Sequence, residues 1–179
     1  MDDPQAVILA WDEAWLWSQE TADLAWSLIG QPPLMKIDPQ RYSLAFYGAL
    51  NLHTGEEQAI MTDKLNQRTS ATFLQYLLDL YPHRRLLLIG DRASWHHGLP
   101  IEALLSQHPR LELYPLPVAC PELNPQEQIW ASVRRALAQF HFMAFADRAC
   151  AFLRTLRATR FRPNLIDHYV PPIVSALHD

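Results

Sequence analysis

The sequence predicts a single α/β domain, residues 1–179, in which a mixed β-sheet of about five strands is covered by helices on both faces. Three observations support this class. About half of the 179 residues are apolar, which suits one substantial core. The first third of the chain reads mainly as antiparallel strand, and the rest alternates helix with strand. The run LLLI at 86–89 is typical of a parallel strand buried on both faces.

The strand segments follow from apolar runs, aromatic and β-branched residues, and the turns that bound them. The first run stops at the carboxylate Asp12, and the last strands flank a WHHG loop and a short helix. The HTGEE turn allows the predicted strand 58–62 to pair with the predicted strand 41–52. The predicted strands are 6–11, 23–29, 41–52, 58–62, 86–89 and 111–114.

The helix segments follow from apolar residues at intervals of three and four. Thr69 or Ser70 is the expected N-cap of the first helix. Asn124 is the expected N-cap of the third, with Pro125 at its first position and Glu127 three residues after the cap. The helices are predicted at 69–81, 101–107, from 124 through Phe140, and at 143–158. This order of elements fits a mixed sheet like that of ribonuclease H.

Composition excludes several classes of protein. No apolar run approaches the roughly 20 residues that span a bilayer, and the N-terminus lacks the pattern of a signal peptide. We therefore expect a soluble, cytoplasmic protein, associated with the nucleoid if it acts on DNA. Cys120 and Cys150 have no CxxC spacing and no paired histidine motif, so they are interpreted as reduced core residues and not as a disulfide or zinc site.

The charge is unevenly distributed along the chain. The formal net charge of −4 argues against a protein that mainly coats nucleic acid. Residues 134–162, however, carry seven arginines and one acid, a local balance of +6. The predicted DNA contacts in this region are Arg134, Arg135, Arg154 and Arg157. Alternatively, these arginines are only the solvated faces of two helices.

Three carboxylates occupy positions that predict a metal site. Asp12 follows the first strand, Asp91 follows the LLLI strand, and Glu127 lies in the first turn of a later helix, on the same face as Trp130. The two strands would be parallel neighbours, so the acids would converge and repel one another unless cations neutralised them. Oxygen ligands suit two Mg²⁺ or Mn²⁺ ions. Singly, each acid could instead be a turn or helix cap.

The segments VILAWDEAWL, AWSLIGQPP, LLLIGDRASWHHG and PELNPQEQIWASVRRAL resemble the DDE endonuclease domain of insertion-sequence and mariner-like transposases. The likeness runs from about Val7 to Ala158, and 35 residues separate Asp91 from Glu127, the customary gap. The resemblance implies that Asp12, Asp91 and Glu127 are the catalytic metal ligands. It also implies cleavage of DNA, strand transfer by the resulting 3′-hydroxyl into TA dinucleotides, and a dimeric assembly.

Three further residues are predicted to be neighbours of this site. His96 matches the family's histidine, and Glu13 should face the side of the strand opposite to Asp12. Arg92 stands where the family has asparagine, and its guanidinium could bind the scissile strand or oppose the metals. Cys120 and Gln126 also depart from the family motif, replacing a serine and an apolar residue.

The chain begins about five residues before the first predicted strand, so we expect no N-terminal helix-turn-helix for recognising transposon ends. A separate domain or reading frame would then supply the DNA recognition. The chain would be a truncated protein, the product of the second frame of a two-frame element, or a remnant of a transposase. Two other functions remain open at this stage. One is a decayed, non-catalytic module for DNA binding or assembly, and the other is a different ribonuclease-H-like nuclease.

Overall fold

A computed structural model of the chain describes residues 6–18, 29, 41–118, 120–137 and 144–161. Its centre is a five-stranded sheet in the order β3-β2-β1-β4-β5. The strands are β1 (Val7–Trp17), β2 (Ser43–Asn51), β3 (Glu57–Thr62), β4 (Leu86–Gly90) and β5 (Leu111–Pro115). The strand predicted at 23–29 lies outside the described residues, except for Ile29.

The central strand β1 has different partners along its length. Val7 to Ala10 pair with β4 in parallel, whereas Leu9 to Trp17 pair with β2 in antiparallel register. β3 continues the antiparallel half and β5 the parallel half. The prediction that the first strand stops before Asp12 is therefore wrong. The long β2 pairing carries β1 through Asp12, which lies opposite Gly48.

Helices cover both faces of the sheet, as predicted. They are α1 (Gln67–Leu80), α2 (Leu99–Gln107), α3 (Pro125–Leu137) and α4 (Phe145–Ala158), with a short 3-10 turn at Pro121–Leu123. Alternate residues of β1 point to opposite faces of the sheet and pack into two separate hydrophobic cores. Leu9 and Trp11 pack with α1 and α2, whereas Ala10 and Ala14 pack with α3 and α4. Asp12 thus faces α3 and α4, and Glu13 faces the other layer.

Two local predictions need correction. The N-cap of α1 is Asn66, whose side chain accepts hydrogen bonds from the backbone N–H groups of Arg68 and Thr69. Thr69 is the returning half of this capping box, because its hydroxyl accepts a bond from the Asn66 N–H. An asparagine cap one turn upstream therefore lengthens the helix beyond the predicted start at Thr69 or Ser70.

The cysteines are free, as predicted, but they are not core residues. Cys150 is exposed and Cys120 is partly exposed. Cys150 falls on the solvent side of α4, since its neighbour Ala149 occupies the buried stripe with Phe152 and Leu156. Phe140, the predicted end of the third helix, lies outside the described residues. Among the helices that the structure describes, none is both long and apolar enough to cross a membrane.

Candidate active site

Asp12 is a buried carboxyl in the middle of the sheet. Its side chain faces α3, and its Oδ2 accepts a hydrogen bond of 3.1 Å from the indole N–H of Trp130. Only 7% of the residue is exposed. Burial raises the pKa of Asp12 from 3.8 to about 7, and the nearby charges of Glu13 and Glu127 add to this effect against the hydrogen bonds it accepts. The Asp12 carboxyl therefore holds its proton more tightly than an ordinary aspartic acid does.

The start of α3 brings Glu127 near Asp12. Asn124 ties the helix to β1, because its side-chain Nδ2 donates to the backbone oxygen of Trp11 at 3.1 Å. Its Oδ1 accepts from the N–H of Gln126 at 3.2 Å, as expected of an N-cap. Glu127 itself is exposed, which corrects the prediction that it points inward with Trp130. The buried stripe of α3 runs through Gln126, Ile129, Trp130 and Val133, and Glu127 lies at its edge.

Asp91 follows the last residue of β4, next to β1. Ala10 pairs with Ile89, so Asp12 on β1 and Asp91 just after β4 each stand two residues beyond that pair. Asp91 Oδ1 accepts from the Ala93 N–H at 3.0 Å and contacts His96 Nδ1 at 2.9 Å. Its Oδ2 has no hydrogen-bond partner among the described residues, and its side chain is 54% exposed. One oxygen is therefore fixed and the other is available.

His96 is buried and joins Asp91 to Glu13. Its Nε2 lies 2.8 Å from Glu13 Oε1, while Glu13 Oε2 accepts a 2.8 Å bond from the Trp95 indole. Burial opposes a charge on the imidazole, but the hydrogen bond and charge of Glu13, together with Asp91, raise the pKa of His96 above 6.5. The imidazole also packs on Trp11, with ring centroids 4.0 Å apart. Glu13 and His96 thus lie in the layer opposite Asp12 and hold the loop that carries Asp91.

Arg92 and a cavity border Asp91 on its open side. The Arg92 Nε donates to the backbone oxygen of Leu116 at 2.9 Å, which holds the exposed guanidinium at the rim. The cavity, of about 420 Å³, is also lined by Trp11, His96 and Tyr114. A positively charged group therefore stands beside Asp91 and is accessible to an anionic ligand.

The four arginines predicted to contact DNA are all exposed on α3 and α4. Arg134 and Arg157 also bind backbone oxygens, those of Trp15 and Ala59. Arg135 and Arg154 make no hydrogen bond with any described residue. Arg148, which belongs to the same basic region, is instead buried and donates to the backbone oxygen of Trp17. The basic surface is thus smaller than the sequence count of arginines indicates.

The donor set of the three acids fits a divalent cation. All the donors are carboxylate oxygens, the ligands that Mg²⁺ and Mn²⁺ prefer, and burial of Asp12 disfavours its charged form unless a cation or a proton is bound there. Among the described residues, however, no three His, Cys, Asp or Glu side chains are grouped closely enough to hold a metal ion. Asp91 and Glu127 are exposed, whereas Asp12 is buried.

Sequence reasoning missed two parts of this site. The sequence places Trp130 on the same helix face as Glu127 but gives no sign that its indole binds Asp12. Glu57 was not singled out, yet it is buried and bonded to Gln126, the residue before Glu127. The one available signal was Gln126 itself, a polar residue where the resembled family has an apolar one.

The sheet order, the helices on both faces and the acids around β1, β4 and α3 define a ribonuclease-H-like domain. More specifically, the chain belongs to the DDE superfamily endonucleases, because that family's model matches residues 7–150. The sequence has no significant match among curated proteins.

Solved structures share this fold. The Mos1 strand transfer complex aligns with a TM-score of 0.68 and 17% identity, over 99% of this chain and 54% of the Mos1 chain. The catalytic domain of Mos1 mariner transposase aligns with a TM-score of 0.61 and 14% identity, over 96% of this chain and 78% of that domain. One chain of the simian T-cell lymphotropic virus intasome aligns with a TM-score of 0.52 and 10% identity, over 74% of this chain and 51% of the intasome chain. This chain therefore spans about half of the longer Mos1 chain.

Proposed function

We propose that this chain is a single transposase catalytic domain that cleaves DNA phosphodiesters and joins the resulting 3′-hydroxyl to target DNA. Asp12, Asp91 and Glu127 would hold two divalent ions, Mg²⁺ or Mn²⁺. The observation that carries the proposal is the Asp12 carboxyl, which is buried beside the charge of Glu127 and has a pKa of about 7. Keeping such a group ionised in the folded protein costs free energy, and perturbed carboxyls of this kind cluster at functional sites.

The three acids would have different parts in this reaction. Asp12 is the fixed ligand, since the sheet and Trp130 hold it in place. Asp91 and Glu127 are exposed and would close on the ions from either side. When bound, two such ions activate water and stabilise the leaving oxygen of a phosphodiester. The contacts of Glu13 with His96, and of His96 with Asp91, would keep Asp91 Oδ1 in place and leave Oδ2 for a metal ion.

Double-stranded DNA, both transposon ends and target, is the proposed partner. Arg92 lies at the rim beside Asp91, where its guanidinium would bind a phosphate of the scissile strand. Arg135 and Arg154 would contact phosphates further along the duplex, with Arg134 and Arg157 beside them. Such contacts position a duplex without reading its sequence. We propose that a separate DNA-recognition domain or frame supplies specificity, and that the chain acts as a homodimer at the nucleoid.

Plasmid cleavage tests the proposal. Supercoiled plasmid is incubated with Mn²⁺ and the wild-type chain, Asp91→Ala, or Asp79→Ala as a matched control. Asp79 is an exposed acid of α1 that bonds only Gln75 among the described residues, so its loss should leave cleavage unchanged. We expect nicking by the wild type and the control but not by Asp91→Ala. Equal cleavage by the wild type and both variants would count against a catalytic role for Asp12, Asp91 and Glu127.

Calorimetric titration with Mn²⁺ separates the catalytic domain from a non-catalytic module. The proposed site predicts saturable binding that Asp91→Ala weakens. If the wild type binds no Mn²⁺ at millimolar concentration, the chain is instead a DNA-binding or assembly module that retains the fold.

A further inference from the structure

A buried acid and a buried amide meet behind the proposed metal site. Glu57, the first residue of β3, reaches across β2, and its Oε1 accepts a 2.7 Å hydrogen bond from Gln126 Nε2. Glu57 is 2% exposed and Gln126 is fully buried. The side chains that face the Asp12 site from this layer are therefore not all apolar. Neither residue serves as a metal ligand in the proposed function.

Gly48 on β2 makes room for this pair. A Cβ atom at Gly48 would lie 2.4 Å from Glu57 Oε1, 2.4 Å from Gln126 Nε2 and 2.5 Å from the Trp130 ring. Real Cβ atoms do not approach other atoms so closely, so a side chain at this position would push the pair apart. Gly48 is also the residue that pairs with Asp12. The pair, Trp130 and Asp12 thus occupy one continuous layer over the middle of the sheet.

The pair is attached to the helix that carries Glu127. Gln126 immediately precedes Glu127, and Trp130 lies one turn further along the same buried stripe. Three side-chain contacts therefore connect this end of α3 to the sheet. Asn124 binds the Trp11 backbone, Gln126 binds Glu57, and Trp130 binds Asp12. Together they link the first two turns of α3 to β1 and β3.

We propose that Glu57 and Gln126 are positioning residues, whose hydrogen bond sets the first turn of α3 so that Glu127 meets Asp12 at the right distance to share metal ions. The inference rests on the proposed function and assigns no new ligand. It accounts for a polar pair where two apolar side chains of similar volume would pack with less desolvation cost.

The pKa of Glu57 is consistent with a side chain that positions the helix through a hydrogen bond and does not act through a negative charge. Burial raises the pKa of Glu57 well above 4.5, and the charge of Asp12 adds to this, while the bonds from Gln126 and the Ala49 backbone oppose it. Burial therefore favours the protonated, uncharged form of the Glu57 side chain. Glu57 Oε2 and Gln126 Oε1 have no hydrogen-bond partner among the described residues. A protonated Glu57 would carry a hydrogen-bond donor at this pair, which an ionised carboxylate would not.

The test compares Mn²⁺ affinity with stability in variants of the whole chain. Glu57→Leu combined with Gln126→Leu replaces the polar pair by an apolar one. We expect a Tm equal to or above that of the wild type, because no buried polar atom remains unpaired. We expect Mn²⁺ affinity to fall about tenfold, the lower end of the usual range for residues that support metal ligands. Glu57→Gln keeps the hydrogen bond without a titratable proton and should recover most of the affinity.

Gln58→Leu is the matched control. It removes a neighbouring hydrogen bond on β3, the one from the Tyr76 hydroxyl to Gln58 on the other side of the strand, and should leave Mn²⁺ affinity unchanged. Wild-type affinity in the double leucine variant would overturn the proposal, and so would a loss in Gln58→Leu equal to the loss in the double variant.

A second measurement keeps this inference separate from the proposed function. The Trp130 indole N–H signal in ¹H–¹⁵N NMR spectra reports the bond to Asp12 without any metal. If α3 is positioned by the pair, the double leucine variant shifts this signal and Gln58→Leu does not. If the wild type binds no Mn²⁺, the proposed function fails, and the indole signal alone decides whether the pair positions the helix. An unmoved signal in the double variant contradicts the inference.

Discussion

Replacing the buried Asp12 by asparagine should stabilise the metal-free protein at high pH and, at the same time, prevent metal binding. Asparagine has nearly the shape of aspartic acid, and its side-chain oxygen can still accept the bond from Trp130. It carries no charge, so it avoids the cost of ionising a buried carboxyl between Glu13 and Glu127. Stability and function are thus expected to oppose each other at this position.

The size of the effect follows from the pKa of Asp12, which is 3.8 ordinarily and about 7 in the folded protein. A raised folded-state pKa contributes stability that is complete below pH 3.8 and is lost as the pH rises through 7. From pH 5 to pH 8 the free energy of unfolding of the wild type should fall by about 2.5 kcal/mol relative to that of Asp12→Asn. The reason is that the folded carboxyl must release its proton over this range.

Urea unfolding of both proteins in chelator at pH 5, 6, 7 and 8 measures this difference directly. Every other titrating group is common to the two proteins, so its contribution to the difference in their unfolding free energies largely cancels. Added Mn²⁺ should stabilise the wild type at pH 8 and leave Asp12→Asn unaffected. A stability difference between the two proteins that does not change with pH would refute the reasoning about burial, whatever the activity of either protein.

Three other substitutions have definite expected outcomes. Trp130→Phe removes a hydrogen bond that lowers the pKa of Asp12, so that pKa should rise further and calorimetry should find weaker Mn²⁺ binding at pH 7. Gly48→Ala should lower the free energy of unfolding by about 2 kcal/mol in urea titrations, because its Cβ would overlap three buried side-chain atoms. Arg110→Met removes three hydrogen bonds that its guanidinium donates to backbone oxygens around the C-terminal end of α1, those of residues 78, 81 and 84, and should cost about 2 kcal/mol by the same measurement.

Much of the fold was predictable from local patterns. The apolar LLLI run predicted β4, and the period of three and four predicted α1, α3 and α4. The extension of β1 through Asp12 was not predictable in this way. Acidic residues are unfavourable in strands, and only the long-range pairing with β2 reveals why the strand continues.

The parts of the site that were predictable are those marked by order and spacing. Asp12, Asp91 and Glu127 were identified from their places after strands and at a helix start, and their role as metal ligands stays a prediction. The environment of each acid depends on contacts between residues far apart in the chain. His96 in a loop carries no local sign that it bonds Glu13, 83 residues earlier. The Glu57–Gln126 bond spans 69 residues and has no local sequence signal on β3.

The account depends most on whether metal ions bind at the three acids. The most direct measurement is a crystal structure of the protein soaked in Mn²⁺, with anomalous difference maps to locate the ions. We expect two peaks about 4 Å apart, contacted by carboxylate oxygens of Asp12, Asp91 and Glu127. Peaks at other residues only, or no peak beside Asp12 at saturating Mn²⁺, would contradict it.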